Sequence, residues 1–341
     1  MQPFHYSRPS SLGDALMQWQ GSVANSSDTT SAAFLAGGTT LVDLMKLEVI
    51  QPQRIIDLRA LSATYEAIRV DDSSLRLGAF AKMADVAGHR DVLNNFPVIA
   101  QSLSLAASAQ LRNMATLGGN VLQKTRCAYY RDPSWEACNK RAPGSGCAAL
   151  EGANRQHAIL GTSEHCIATY HGDFGQALIA LDASVVLSGP NGVRAIPFAS
   201  LHRQPANTPH TETNLQLGEI ITEFIVPILP WARRSLYLKI RDRQSYEFAV
   251  ASAAVAMELE GGIVRDVRIA LGGVATAPWR AREAEDRLRG HTIDEARAAE
   301  AAHIAFVNAV PQSHNAFKVP LGQSTLVRAL LDVASMEVSN G

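Results

Sequence analysis

The four cysteines of the chain are the residues whose type and spacing most clearly indicate chemistry. Cys127, Cys138, Cys147 and Cys166 follow the spacing C-x10-C-x8-C-x18-C, in a stretch that also holds prolines and glycines. Thiolates are ligands of zinc and of iron–sulfur clusters, and thiols pair as disulfides in oxidising compartments. The clustering therefore predicts a metal site or a disulfide staple in this stretch.

Four explanations compete for the cysteines. Disulfides are disfavoured because no signal peptide is recognisable, and zinc because its ligands usually come as C-x2–4-C pairs, which the sequence lacks. Unligated core cysteines should scatter through apolar segments instead of sharing a polar loop. An iron–sulfur cluster accepts varied spacings, and Arg126, Lys140 and Arg141 would offset its negative charge. The iron–sulfur interpretation is favoured, with zinc and disulfides kept as alternatives.

Two paired-glycine loops are the second chemical feature. The first is Gly37-Gly38-Thr39-Thr40-Leu41 and the second is Thr116-Leu117-Gly118-Gly119-Asn120. Glycines let backbone N–H groups approach an anion closely, and threonine hydroxyls add donors. Neither loop is the GxGxxG dinucleotide motif or the GxxxxGK[ST] P-loop, so each alone is equally consistent with a tight turn. Together they predict a ligand with two phosphates that are contacted from both sides.

Asp173 and the histidines are weaker candidates. Asp173 precedes a predicted helix, so its carboxylate would either cap that helix or hold a ribose or ribityl hydroxyl. His157, His165 and His171 lie near the cysteines, where solvated loop histidines are the commoner outcome. The sequence offers no Ser–His–Asp arrangement. Phosphate loops and thiolates together indicate redox chemistry carried out by cofactors rather than by a protein acid or base.

A mixed α and β fold must position these residues. The predicted elements around the two loops are a strand at 33–36, a helix at 41–47, strands at 54–58 and 75–79, and helices at 82–89 and 97–107. The first three form a βαβ unit. Residues 127–165 are predicted as a long irregular excursion, which compact domains rarely carry without a function or a staple.

A composition shift around Pro227–Arg234 predicts a domain boundary, which gives domains at 1–228 and 229–341. The elements expected further along the chain are a helix at 174–181, a hairpin of strands at 184–188 and 193–196, strands at 235–240, 249–258 and 264–272, and helices at 281–288, 294–307 and 321–334. The second domain is thus an α+β module with a three-stranded antiparallel sheet. An exposed loop at Asn25–Asp28 is the nearest approach to a linker.

Composition excludes several classes of protein. The 341 residues include 31 basic and 32 acidic side chains, so the net charge of −1 gives no electrostatic reason for a nucleic-acid partner. A hydrophobic content of 47% is too high for disorder. The longest apolar stretch, Phe248–Met257, is well short of the ~18 residues that a membrane span requires. The default expectation is cytoplasmic, although a folded subunit can be exported on a partner that carries a signal.

The motifs resemble the FAD-binding subunit of the molybdenum hydroxylases, the medium-subunit family of xanthine and carbon monoxide dehydrogenases. The similarity lies in Ala36–Leu41, Ala107–Asn120 and Lys239–Ala249, in this order and over nearly the whole chain. The run Asn139–Gly152 and the cysteine spacing are similar to the FAD subunit of bacterial periplasmic aldehyde oxidoreductases, whose inserted loop holds an additional [4Fe-4S] cluster. The implied fold is α+β: a two-lobed FAD-binding domain of the molybdopterin-dehydrogenase/VAO type, followed by a C-terminal α+β flavoprotein domain.

The resemblance implies roles for individual residues. Those expected to contact FAD are Leu35, Ala36, Gly37, Gly38, Thr39, Thr40, Leu41, Ser108, Thr116, Gly118, Gly119, Asn120, Asp173, Lys239 and Tyr246. The two glycine loops would meet the pyrophosphate from opposite sides. Asp173 would lie near the ribityl chain, and Lys239 and Tyr246 near the flavin. The four cysteines, within an iron–sulfur loop at 123–168, would ligate the [4Fe-4S] cluster, and no residue is expected to be catalytic.

The implied function is that of an electron-transfer subunit in a molybdenum-dependent aldehyde oxidoreductase. The expected partners are a large subunit with the molybdenum cofactor and a small subunit with [2Fe-2S] clusters, in a heterotrimer that passes electrons to a terminal acceptor. A self-sufficient flavin oxidase and a zinc-stabilised binding module without a redox role are the alternatives. A periplasmic location is expected if a partner subunit carries the export signal, and a cytoplasmic one otherwise.

Overall fold

A small parallel sheet forms the N-terminal lobe. The structure, a computed structural model, describes residues 1–24 and 31–338, so the loop expected at Asn25–Asp28 lies outside the described residues. The elements of this lobe are β1 (His5–Ser7), α1 (Leu12–Ala24), β2 (Ala32–Leu35), α2 (Leu41–Lys46) and β3 (Arg54–Asp57). Strand β3 pairs in parallel with both β1 and β2, so β2, α2 and β3 form the predicted βαβ unit. The first glycine loop follows the carboxyl end of β2.

The second lobe combines short helices with a five-stranded antiparallel sheet in the order β4-β5-β8-β6-β7. Its elements are α3 (Ser62–Tyr65), β4 (Ile68–Val70), β5 (Ser74–Gly78), α4 (Met83–Gly88), α5 (Arg90–Asn95), α6 (Pro97–Ser104), α7 (Ala109–Arg112), α8 (Leu117–Val121), α9 (Ala128–Arg131), α10 (Phe174–Ala180), β6 (Ser184–Gly189), β7 (Gly192–Pro197) and β8 (Ile220–Pro227). Helix α6 ends at Ser104 and is shorter than expected from the sequence, and Ala107, which the prediction placed in the helix, has a positive φ of 49° that a helix does not allow. The excursion between α9 and α10 is irregular, as predicted.

The C-terminal domain places helices against a second antiparallel sheet. Its elements are β9 (Ser235–Ile240), β10 (Ala251–Glu260), β11 (Ile263–Gly272), β12 (Trp279–Arg280), α11 (Arg282–Leu288), α12 (Glu295–Ala305) and α13 (Lys318–Ser335). The sheet has four strands in the order β12-β11-β10-β9, one more than the sequence predicted. The additional strand, β12, is only two residues long, so it leaves no alternation of side chains that a sequence pattern would reveal.

Strand β10 is buried on both faces and joins the two larger hydrophobic cores among the described residues. Its Ala254 and Ala256 pack into the core of the first two sheets. The intervening Val255 and Met257 pack into the core beneath the C-terminal helices. Successive side chains of a strand point to opposite faces, so small alanines on one face allow a close approach of the two domains.

None of the helices in the described ranges is long and apolar enough to cross a membrane.

A larger side chain at Ala254 should separate the two domains. Ala254 is fully buried, so the Ala254→Leu variant should lose about 1–3 kcal/mol of unfolding free energy through overpacking. Thermal or urea unfolding would measure the loss. The matched control is Val193→Leu on strand β7, where the side chain is 72% exposed and no loss is expected. An Ala254→Leu protein as stable as the control would contradict the packing described here.

Candidate cofactor cleft and cysteine cluster

The first glycine loop packs against the backbone of Met114 and Ala115, the two residues that directly precede the second loop. A Cβ atom placed on Gly37 would lie 2.3 Å from the carbonyl oxygen of Met114, so only glycine fits there. Gly38 has a φ of +77°, which favours glycine as well. The backbone N–H groups of Thr39 and Thr40 have no acceptor in the described part of the chain. The first loop therefore presents unused donors next to the second loop.

The second loop is more tightly bonded within the protein. Thr116 caps helix α8 by accepting a hydrogen bond from the Gly119 N–H at 3.2 Å, and the Gly118 N–H donates to the Ala79 carbonyl at 2.8 Å. Asn120 differs, because its side-chain oxygen is buried and has no hydrogen-bond partner within residues 1–24 and 31–338. Most of the donors that the sequence suggested for a phosphate are thus used internally, and the Asn120 amide oxygen remains as an acceptor for a hydroxyl or N–H group of a ligand.

The loops border a cleft that consists of two adjoining cavities. One has a volume of about 450 Å³ and the other of about 330 Å³, and both are lined by Thr39, Thr40 and Gly119. The larger cavity is lined by charged and polar side chains together with apolar ones such as Met83 and Leu111, and the smaller one mainly by apolar side chains such as Phe34 and Ile50. Volumes of this order are typical of ligand sites. The cleft suits an elongated ligand that reaches into both cavities.

A buried ion pair closes the deep end of the larger cavity. Lys239 Nζ lies 2.9 Å from Asp173 Oδ2, and both side chains are at most 4% exposed. The Tyr237 hydroxyl donates to Asp173 Oδ1 at 2.6 Å. Burial, together with the charge of Asp173, raises the pKa of Tyr237 well above its usual value. Asp173 stands at the N-cap position of α10 without capping the helix, because its carboxylate is held by these two partners.

Two arginines also line the larger cavity. Arg126 and Arg131 share the carboxylate of Asp43, each at 2.9 Å, and the Arg126 Nε is buried without a partner in the described ranges. His171 also lines the cavity, where burial and the charge of Lys318 lower its pKa to about 3, so the imidazole is neutral. One carboxylate thus faces two guanidinium groups, which leaves an excess positive charge beside the cavity.

The structure brings most of the residues predicted from the sequence to the lining of this cleft and places the others behind it. Those that line the two cavities are Ala36, Gly37, Gly38, Thr39, Thr40, Leu41, Thr116, Gly118, Gly119, Asn120, Asp173 and Tyr246. Three others lie behind the lining. Leu35 ends strand β2 and Ser108 caps helix α7 by accepting the Leu111 N–H at 3.3 Å. Lys239 reaches the cleft only through Asp173.

Tyr237 and Phe248 belong to the site but were not among the residues predicted from the sequence. Tyr237 precedes Lys239 by two residues on strand β9, so both side chains point to the same face, and this period of two was the available signal. Phe248 lines the larger cavity and packs under the guanidinium of Arg126 at 5.3 Å. It follows a loop without regular structure, so no local pattern points to it.

The four cysteines converge on one small cavity. All four line it together, and all are free thiols, so the structure contains no disulfide between them. Cys138 and Cys147 face each other across an isolated antiparallel bridge, and the Cys166 thiol is hydrogen-bonded to Cys147. Cys127, Cys138 and Cys166 are buried, whereas Cys147 is half-buried. Cysteines as far apart in sequence as Cys127 and Cys166 thus form one sulfur-lined site.

Polar side chains hold the irregular segment around this site. Asn139 accepts hydrogen bonds from the N–H groups of Gly144 and Gly146 and donates to the His165 carbonyl. Arg141 donates to the Tyr130 carbonyl at 2.8 Å and also to the Tyr129 and Trp135 carbonyls. These bonds supply the backbone with partners that a helix or sheet would otherwise provide.

Lys140 and Lys124 connect the cysteine segment to the cleft through Glu212. Lys140 lies 2.8 Å from Glu212, which also pairs with Lys124 on the wall of the smaller cavity. Burial alone would raise the pKa of Glu212, but the two ammonium groups lower it to about 2. Glu212 is therefore a carboxylate over the whole physiological range.

The thiols differ in their surroundings. Burial raises the pKa of Cys127 to about 11, whereas the hydrogen bond from Cys166 lowers the pKa of Cys147. Among the described residues, no group of three or more His, Cys, Asp or Glu side chains is arranged to hold a single metal ion. In a multinuclear iron–sulfur cluster the cysteines bind separate irons, so their sulfurs need only to line one site.

Comparison with known proteins gives matches over almost the whole chain. The family model described as the FAD binding domain in molybdopterin dehydrogenase matches residues 2–229, and that of the CO dehydrogenase flavoprotein C-terminal domain matches residues 236–333. The chain is 41% identical to the aldehyde oxidoreductase FAD-binding subunit PaoB of Escherichia coli, over 97% of this chain and 98% of that one. It is 26% identical to the glyceraldehyde dehydrogenase medium chain of Sulfolobus acidocaldarius, over 86% and 83%. A solved carbon monoxide dehydrogenase from Hydrogenophaga pseudoflava superposes with a TM-score of 0.74 at 26% identity, covering 97% of this chain and 96% of that chain.

Removal of the Asp173 charge should destabilise the protein strongly. The Asp173→Asn variant leaves Lys239 buried without a counter-charge, which should cost about 3–5 kcal/mol of unfolding free energy. The double variant Asp173→Asn/Lys239→Met should regain part of that loss, as measured by urea unfolding. Glu260→Gln is the matched control, because Glu260 is 71% exposed in its pair with Arg265 and about 1 kcal/mol or less is expected. Equal losses of unfolding free energy in Asp173→Asn and Glu260→Gln would contradict the burial of the Asp173–Lys239 pair.

Proposed function

The chain belongs to the family of FAD-binding medium subunits of the molybdenum hydroxylases, and we propose that it is the FAD- and [4Fe-4S]-containing electron-transfer subunit of a molybdenum-dependent aldehyde oxidoreductase. The observation that carries the proposal is the adjacency of the two-part cleft and the four-cysteine site. Arg126 joins them, because its side chain lines the cleft and its backbone precedes Cys127.

The cleft fits FAD in shape and in polarity. Thr39, Thr40 and Gly119 line both cavities, so a pyrophosphate at this shared wall would place the flavin of a dinucleotide in one cavity and the adenine in the other. Unused N–H groups of Thr39 and Thr40 and the unpaired amide oxygen of Asn120 lie where a polar ligand would meet them. Bound FAD supplies electron transfer in steps of one or two electrons.

The residues of the deep wall would orient the ligand. Lys239 and Tyr237 hold Asp173 as a fixed hydrogen-bond acceptor, which suits the hydroxyl groups of a ribityl chain. The carboxylate is already buried and oriented before the ligand arrives, so little entropy is lost when it binds. Arg126 and Arg131, which also line this cavity, favour negative charge on the ligand.

The cysteine site is assigned to an iron–sulfur cluster because four thiols of one irregular segment line a single cavity, which suits four-cysteine ligation, and their spacing lacks the C-x2–4-C pairs that are usual for zinc. Lys140 lines the same cavity and Arg141 follows it in the chain, and both would offset the charge of four thiolates. A bound [4Fe-4S] cluster would supply one-electron transfer.

The wider complex is inferred from the relatives. The similarity to an aldehyde oxidoreductase subunit favours aldehydes as the substrate class, with oxidation on a molybdenum cofactor in a large partner subunit. A small subunit with [2Fe-2S] clusters would deliver electrons to this chain, and a terminal acceptor would remove them. A periplasmic location would follow if a partner subunit carries the export signal.

A methyl group at Gly37 should weaken FAD retention. In the Gly37→Ala variant the Cβ must push the first loop away from the Met114 carbonyl, which widens the cleft between the loops. The flavin content after purification should fall several-fold, as measured by absorbance at flavin wavelengths and by fluorescence after denaturation. Gly88→Ala is the matched control, because nothing lies within 4 Å of its Cβ. A flavin content that is equal in both variants would contradict the assigned site.

Chemical analysis and spectroscopy test the electron-transfer assignment. Purified protein should contain FAD, about four irons and about four acid-labile sulfides per chain, and no zinc. Dithionite should bleach both the flavin and the iron–sulfur absorption. The Cys138→Ser and Cys147→Ser variants should lose the iron absorption and retain FAD.

Three results would point elsewhere. Stoichiometric zinc in a colourless protein would favour a zinc-stabilised binding module. Reduction of the flavin by a small substrate without partner subunits would favour a self-sufficient flavin oxidase. Aldehyde turnover by the isolated chain would contradict the electron-transfer assignment directly.

A further inference from the structure

Among the described residues, His157 is the only histidine with a ring nitrogen within hydrogen-bond distance of a cysteine sulfur. Its Nε2 lies 3.2 Å from Cys127 Sγ, and the residue is only 5% exposed. The other ring nitrogen, Nδ1, is buried and has no hydrogen-bond partner within the described ranges. A histidine predicted to be one of several solvated loop residues is thus enclosed beside a sulfur.

These contacts determine which nitrogen carries the proton when Cys127 is a cluster ligand. A ligating thiolate has no proton, so it can only accept a hydrogen bond. Nδ1 faces no acceptor, so a proton there would be a buried donor without a partner, which is costly. We propose that His157 is a positioning residue for Cys127 that donates its Nε2–H to the cluster sulfur and thereby raises the reduction potential of the cluster.

The C-terminal domain holds the backbone of His157 in place. The His157 carbonyl accepts a hydrogen bond from the side chain of Asn315, at 3.3 Å, and the His157 N–H donates to the Asn154 carbonyl, at 3.0 Å. The Asn154 side chain in turn accepts the His314 N–H at 2.9 Å. Asn154 and Asn315 are both fully buried. The backbone that carries the imidazole is therefore anchored to the segment before helix α13.

The direction of the effect follows from charge. Reduction adds one negative charge to a cluster, and a donor aimed at a ligand sulfur stabilises the more negative state. Tyr129, whose ring lies 6.1 Å from the imidazole, helps to exclude water from the contact. A hydrogen bond that is shielded from water has a larger effect than an exposed one.

The inference rests on the proposed cluster, and the test separates the two. Iron and sulfide content of the wild-type protein is measured first, followed by a redox titration of the cluster monitored by electron paramagnetic resonance. His157→Leu removes the donor, and His157→Gln keeps an N–H group at a similar reach. The matched control is His165→Gln, because His165 is exposed and directly precedes another cysteine, Cys166.

The reduction equilibrium of the cluster should shift about tenfold toward the oxidised form in His157→Leu, which is about 59 mV for one electron. His157→Gln should recover most of the shift, and His165→Gln should match the wild type. If His157→Leu loses its iron, retention of iron by His157→Gln supports the hydrogen bond. An iron-loaded His157→Leu protein with the wild-type reduction potential would overturn the role of His157 but not the proposed cluster. Equal loss of iron in His157→Leu and His157→Gln would do the same. Wild-type protein without iron would overturn the proposed cluster as well.

Discussion

The buried ion pair between Asp173 and Lys239 is the constraint on which the arrangement of the molecule depends. Asp173 precedes helix α10 in the first domain, and Lys239 lies on strand β9 of the second. A charge removed from water is costly unless its partner is present, so each domain needs the other. Tyr237 completes the site by donating to the same carboxylate. Because Asp173 also lines the larger cavity, the deep wall of the cofactor cleft exists only when the two domains are docked.

The same docking holds the cysteine segment. The Val310 N–H donates to the Ile159 carbonyl at 2.7 Å, and Asn315 bonds to the backbone of residues 157 and 158. Lys318 adds a buried ammonium that donates to the Gly273 carbonyl at 2.7 Å, and burial lowers its pKa to about 7. A segment that is almost without helix or strand is thereby ordered by the domain it packs against. The cofactor cleft and the sulfur-lined site therefore depend on one interface.

Sequence patterns predicted the features that are fixed locally. The βαβ unit, the hairpin of β6 and β7 and the strands β9 to β11 each carry periodicity or turn residues, and the structure contains them. Strand β8 was missed although it lies at the centre of its sheet, because it follows a long irregular stretch and pairs with strands far away in sequence. The glycine loops and the cysteines were recognised because their residue types and spacing are local features of the sequence. The contact of His157 with Cys127 was not recognised. That contact depends on tertiary packing across 30 residues.

Arg126 stands between the two sites. Its guanidinium lies over Phe248 and beside Asp43 at the wall of the cleft, while the next residue is Cys127. Burial and the charge of Arg131 lower the pKa of Arg126 despite the charge of Asp43. Electrostatic interactions are stronger in buried surroundings than in water. Arg126 is therefore the group through which a negative charge in the cleft would act on the sulfur-lined site, and the reverse.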